Sequence, residues 1–174
     1  MKEKLINIAI DTVQRAGIHA VTMRELGSSA GIKSSSVMYH FENKNGLLQE
    51  ISNSYLQLFF ERLGEIKTKI DNPAERLQAL VGLFEEGLDE EKLCLCGMLA
   101  AEFVNLDNST QATTRLFFTR LEEWVATQLL DAEANPEAAP LIVSSLEGAM
   151  LLDRLDNESV RLKNVREWLI TLSG

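Results

Sequence analysis

A chain of 174 residues, 45% apolar and 25% charged, is long enough to bury a sizeable core, as one large domain or as a small one joined to a medium one. No apolar run reaches the roughly 18 residues that a membrane span needs, and the stretch after Met1-Lys2-Glu3-Lys4 is amphipathic, so neither an anchor nor a signal peptide is expected and the compartment is read as the cytoplasm. The net charge of −9 weighs against loose attraction to nucleic acid, but it is segregated: residues 1–50 hold six Lys/Arg against five Asp/Glu, and residues 51–174 hold eleven against twenty-one.

The periodicity predicts an all-α chain of about nine helices. The first, over 4–16, turns Leu5, Ile8, Ala9, Thr12 and Val13 inward and stops at Gly17. Thr22 opens a second helix as its cap, with Glu25 three residues on completing a capping box, and Met23, Leu26 and Ala30 form its apolar stripe. Gly31 follows at a tight turn, and a short third helix runs over 34–41. Asn43 caps a long fourth helix over 44–70, with a stripe through Leu47, Ile51, Tyr55, Leu58, Phe59, Arg62, Leu63, Ile66 and Ile70. Asn72-Pro73-Ala74-Glu75 is a strong start signal for a fifth helix over 73–88. A sixth, over 93–106, is broken by Asp107-Asn108-Ser109; a seventh covers 110–134, an eighth 137–155 and a ninth 158–172. Alternating strand patterns, repeats and low-complexity tracts are absent from the sequence.

The segment Thr22–Lys44 carries the functional signal. A helix, a glycine turn and a second short helix presenting hydroxyls, an aromatic hydroxyl and basic groups suit a DNA major groove. The run Ala9…Gly17…Thr22…Leu26…Ala30-Gly31-Ile32…Tyr39-His40-Phe41…Lys44…Leu47 resembles the TetR/AcrR family of one-component transcriptional regulators. The resemblance covers about the first fifty residues; the rest matches in being helical and of suitable length. It implies a helix-turn-helix domain over 1–45 and a helical effector-binding and dimerisation domain over 46–174. Lys33 stands where the family usually has Ser or Thr, Ser35 where Gly is common, and Met38 where a tyrosine is frequent, so base preferences do not carry over.

For DNA contact, Arg24 reads as a phosphate ligand in the helix that crosses the backbone. Lys33, Ser34, Ser35 and Ser36 are the candidate base readers, with Lys33 the best placed for guanine. Thr22 caps its helix beside the backbone. Tyr39 and His40 are consecutive and cannot share a helical face; the resemblance gives His40 a backbone phosphate. Phe41 is read as core, and Lys44 adds its charge to a helix N-terminus, a natural anion site.

Cys94 and Cys96 cannot form a disulfide framework. With only His19 and His40 as histidines, no metal set is apparent, and Cys-x-Cys does not place both thiols on one helical face. They read as small buried side chains, with a thiol sensor of oxidants or electrophiles through Cys94 or Cys96 as the alternative function. Phe59, Phe60, Phe84, Met98, Phe103, Phe117, Trp124 and Met150 are first of all core residues. By the resemblance, a subset lines an apolar effector cavity, with Gly82, Gly87 and Gly97 leaving room and Glu102 and Arg62 orienting a polar ligand end.

The eighth and ninth helices are apolar over broad faces through Leu141, Ile142, Leu146, Met150, Leu151, Val160, Val165, Trp168 and Leu169. Such faces are deeply buried or shared with a partner. The resemblance makes them a four-helix interface of a homodimer, which suits a palindromic operator on double-stranded DNA. The expected partners are that operator and an unidentified small molecule. No cofactor is expected, and no paired carboxylates, nucleophile triad or phosphate-cradling loop argues for an enzyme.

Overall fold

The computed structural model describes residues 1–156 and 158–172. Among these, every regular element is helical: α1 (Lys2–Ala16), α2 (Met23–Ala30), α3 (Ser34–Phe41), α4 (Lys44–Lys69), α5 (Pro73–Asp89), α6 (Leu95–Ala101), α7 (Asn108–Asp131), α8 (Ala139–Asp156) and α9 (Val160–Leu172). Short 3-10 turns lie at Phe103–Asn105 and Pro136–Ala138. No described helix is long and apolar enough to cross a membrane.

The chain divides into two compact units. Unit one comprises Met1–Phe59 and Leu95–Leu116; unit two comprises Phe60–Cys94 and Phe117–Gly174. In unit one, α1 packs on α2 and α6, and α2 on α3. Its core gathers Leu5, Val13, Leu26, Val37, Leu47, Ile51 and Leu95, all almost fully buried. Ile8 and Thr12 are only half-buried and Ile10 takes their place inside; the Thr12 hydroxyl donates to the Ile8 carbonyl at 2.8 Å instead of entering the core. In unit two, α5, α8 and α9 pack on one another. Arg166 of α9 fastens to α5, donating to Glu85 Oε2 at 2.5 Å and to the Gln78 carbonyl at 3.1 Å.

Several element ends differ from the sequence reading, each for a local reason. The sixth helix is one short α-turn run and a 3-10 turn, because the Gln111 side-chain amide donates to the carbonyls of Phe103 and Leu106 and holds the chain out of helical register. Asp107, expected only to break a helix, caps α7: its Oδ1 accepts the Thr110 amide at 3.0 Å. The start of α9 is capped from a neighbouring element, since fully buried Asp153 of α8 accepts the amides of Arg161 and Leu162. Along α4 the inward face includes Leu48, Ser52 and Leu56, each one turn after the last, while Leu58 is half exposed.

Candidate nucleic-acid interface

The helix-turn-helix is set by three local devices. Thr22 Oγ1 accepts the Glu25 amide at 3.1 Å and its hydroxyl donates to Glu25 Oε2 at 2.9 Å. The two side chains thus lock together, a variant of the reciprocal box in which the carboxylate meets the hydroxyl. Gly31 ends α2 in the left-handed region at φ 77°, a backbone that side-chained residues adopt at a cost. At the junction of α3 and α4, a Cβ on Gly46 would lie 2.2 Å from the Phe41 carbonyl oxygen, so only glycine permits that approach.

With Val37 and Phe41 buried, α3 is fixed against the core and its remaining side chains face outward. Ser34, Ser35 and Ser36 are exposed, as are Thr22, Arg24 and Lys33. Tyr39 is 86% exposed. His40 is half-buried, its ring edge-on to Tyr39 at 5.7 Å. Lys44 is half-buried at the first residue of α4, beside the Asn43 cap whose Oδ1 accepts the Gly46 amide at 3.1 Å.

Ion pairing sorts the cations of unit one. Lys2 is bound to Glu50 at 2.7 Å, Arg15 to Asp11 at 3.1 Å, and the Arg115 guanidinium lies 4.5 Å over the Phe103 ring. Among the described residues, Arg24, Lys33 and Lys44 have no acidic partner. The cations left for an external anion are therefore those of the helix-turn-helix segment together with Lys4 of α1, whose Nζ donates only to the Ala30 carbonyl at 3.4 Å. A sequence shows which residues are basic; only a fold shows which of them are already neutralised.

The eight aromatic and methionine side chains read as cavity lining fall in both units. In unit one, Phe59 is half-buried beside Tyr55, Met98 is half-buried and Phe103 lies under Arg115. In unit two, Phe84, Phe117 and Met150 are buried and Trp124 is half-buried. Phe60 meets Phe117 edge-on at 5.8 Å and is covered by the Arg120 guanidinium at 4.0 Å. A groove of about 400 Å³ in unit two is lined by Leu88, Asp89, Glu158, Ser159, Val160 and Lys163, none of them in that set. Glu102 and Arg62 are each otherwise engaged: Glu102 pairs with His19 at 3.4 Å, and Arg62 pairs with Glu86.

Cys94 and Cys96 are both buried. One group beside them escaped the sequence reading. Glu147 of α8 has a buried Oε1, and burial pushes its carboxyl up to about 7, opposed by the Cys94 thiol donating to it. The signal lay in its neighbours: Val143 and Met150 at i−4 and i+3 leave this acid on an apolar stripe.

Residues 5–51 match the family model described as "Bacterial regulatory proteins, tetR family". Residues 73–168, more than half of the chain, match "Transcriptional regulator LmrA/YxaF-like, C-terminal domain". This chain belongs to the TetR family. Its members are transcriptional regulators rather than enzymes. Among curated relatives, the HTH-type transcriptional repressor KstR2 of Mycobacterium tuberculosis is 34% identical over 77 residues, 44% of this chain and 38% of the relative. The match thus spans well under half the length of that relative. A TetR transcriptional regulator from Legionella pneumophila superposes with a TM-score of 0.92 at 26% identity, covering 98% of this chain and 96% of that one. A TetR-family regulator from Agrobacterium tumefaciens also gives 0.92, at 22% identity over 99% and 97% of the two chains, and shares the fold. As a TetR-family chain, the protein has the all-helical plan of a helix-turn-helix followed by a variable helical region.

Proposed function

We propose that the protein is a homodimeric transcriptional repressor which binds a palindromic operator through residues 1–45 and is released by a small-molecule effector bound within residues 46–174. The observation that carries the reading is α3: buried Val37 and Phe41 hold it down while Ser34, Ser35, Ser36 and Tyr39 stand clear of the protein. Arg24, Lys33 and Lys44, unpaired among the described residues, supply the phosphate contacts that position such a helix in a groove. Few of these side chains can form a bidentate base contact, so discrimination rests on Lys33, the serines and groove shape. The repressor named among the relatives supports the direction of control.

Dimerisation is assigned to α8 and α9. Leu141, Leu151, Leu152 and Leu155 are exposed along α8, with Gly148 between them facing open space, and Val160 and Ile170 are exposed on α9. An isologous pairing of these faces fixes the spacing of two reading helices at about 34 Å or a multiple of it. An effector that prefers another arrangement by a few kcal/mol is enough to empty the operator. The burial of both thiols favours this reading over sensing through Cys94 or Cys96.

The test is a salt-titrated mobility shift with duplex DNA from the protein's own promoter region. A specific complex that weakens steeply with salt is expected. If no sequence-specific complex forms even at low salt, the proposal fails. Serine at both cysteine positions leaves operator release by oxidant unchanged if the thiols are structural, and abolishes it if the alternative holds.

A further inference from the structure

Glu147 is an acid placed where the fold gives it no adequate partner. Among the described residues its Oε1 is buried without a hydrogen-bond donor. Val143 and Met150, one turn to either side on the same face of α8, are 3% and 4% exposed, and Leu146 is fully buried. Among the described residues the neighbour that answers the carboxyl is the Cys94 thiol, a weak donor that is itself 4% exposed. An unanswered buried carboxylate oxygen is costly, and a chain under no other demand would hold a leucine there. Apolar walls with one convergent polar group are how small-molecule sites fix orientation.

The surroundings can also give way. The Met150 methyl lies against α5 at Gly87, so close that a Cβ there would stand 2.7 Å from it. An unbranched thioether resting on a bare stretch of backbone is the kind of side chain that repacks around a guest. Met150 stands three residues after Glu147, on the same face of α8.

We infer that Glu147 is the polar anchor of the effector site in unit two, and that the effector is an apolar molecule carrying a cationic amine. The amine's N–H groups complete Oε1, and its charge neutralises the carboxylate in a charge-assisted pair that a neutral alcohol cannot match. While no cation is bound, burial raises the carboxyl to about 7, so at neutral pH a large share of the unliganded sites avoids a bare internal charge. The arriving ammonium favours the ionised form, and the carboxyl proton leaves to solvent. The inference rests on the reading of residues 46–174 as the effector-binding region.

The test measures binding of decylamine, decanol and decanoate, below micelle formation, to the full chain and to Glu147→Gln by calorimetry. The same preparations are assayed for promoter DNA in the absence of any probe. The wild-type protein binds decylamine about tenfold or more tightly than decanol and binds decanoate least. Glu147→Gln, which preserves shape and DNA binding, loses that preference by weakening the amine alone. Equal affinity for amine and alcohol, an amine preference that survives in the variant, or no binding of any probe overturns the inference. Loss of the regulator reading is seen separately, as failure of the probe-free wild-type protein to bind its promoter.

Discussion

At the scale of single residues, what matters is which charges the fold has already satisfied. Lys2 and Lys44 are both basic and both close to the helix-turn-helix in sequence, yet Lys2 is held by Glu50 and Lys44 is not. Lys44→Ala is therefore expected to weaken DNA binding uniformly across sequences and to lower the slope of log affinity against log salt by about 1. Lys2→Ala leaves that slope nearly unchanged, and equal effects in a mobility-shift titration contradict the assignment. Glu147 gives a second residue-level outcome. Its carboxyl titrates near 7 in the folded protein against an ordinary 4.5, so the folded state holds the proton more tightly. Stability falls as pH rises from about 4.5 to about 7, then levels off, with a total loss on the order of 3 kcal/mol. Glu147→Gln removes that loss: urea unfolding shows the variant level with wild type at pH 4.5 and more stable at pH 8.

At the scale of elements, the reading helix depends on backbone conformation at one turn. Gly31 has φ 77° and open space where a Cβ would go, so the penalty for replacing it is conformational rather than steric. Gly31→Asn, which tolerates the left-handed region, is expected to cost a few tenths of a kcal/mol, and Gly31→Val about 1–2 kcal/mol. Val is also expected to tilt α3 and reduce operator affinity more than thermal stability. Parallel losses in melting temperature and DNA affinity for the two variants contradict this account. Element ends were also where the sequence misled. Asp107, in the expected break after the sixth helix, caps the helix that follows it directly, while Asp153, inside the expected eighth helix, caps α9 from within α8. Local cap rules reach the first case and cannot reach the second, because its donor and acceptor are brought together only by the packing of α8 on α9.

At the scale of the whole molecule, operator recognition requires two reading helices at a fixed spacing, and the α8 face is the means proposed for it. Gly148 lies on that face with no atom within 4 Å of a built Cβ. Gly148→Glu therefore leaves the protomer folded while placing a charge at the centre of the proposed contact. Sedimentation is expected to show a monomer with unchanged far-ultraviolet circular dichroism, and promoter affinity to fall about a hundredfold or more. A variant that remains dimeric at micromolar concentration rules out this face. The acid-rich composition belongs at this scale too: with twenty-one of the acidic residues beyond residue 50, most of the protein repels phosphate. Non-specific DNA binding is thereby weakened relative to contacts made by the first fifty residues.

The sequence by itself determined the helices, the turn at Gly31 and the exposed character of Ser34, Ser35 and Ser36. Those follow from caps, periodicity and glycine, which act within a few residues of one another. The tertiary structure alone decided which cations remain unpaired, that α9 is capped by Asp153, and that the Oε1 of Glu147 is buried while the Cys94 thiol donates to its carboxyl. Each depends on groups far apart in the chain, Glu50 with Lys2 or Cys94 with Glu147, whose meeting no local pattern encodes. A carboxylate on a helix reads as solvated until the neighbouring elements show which of its oxygens water cannot reach.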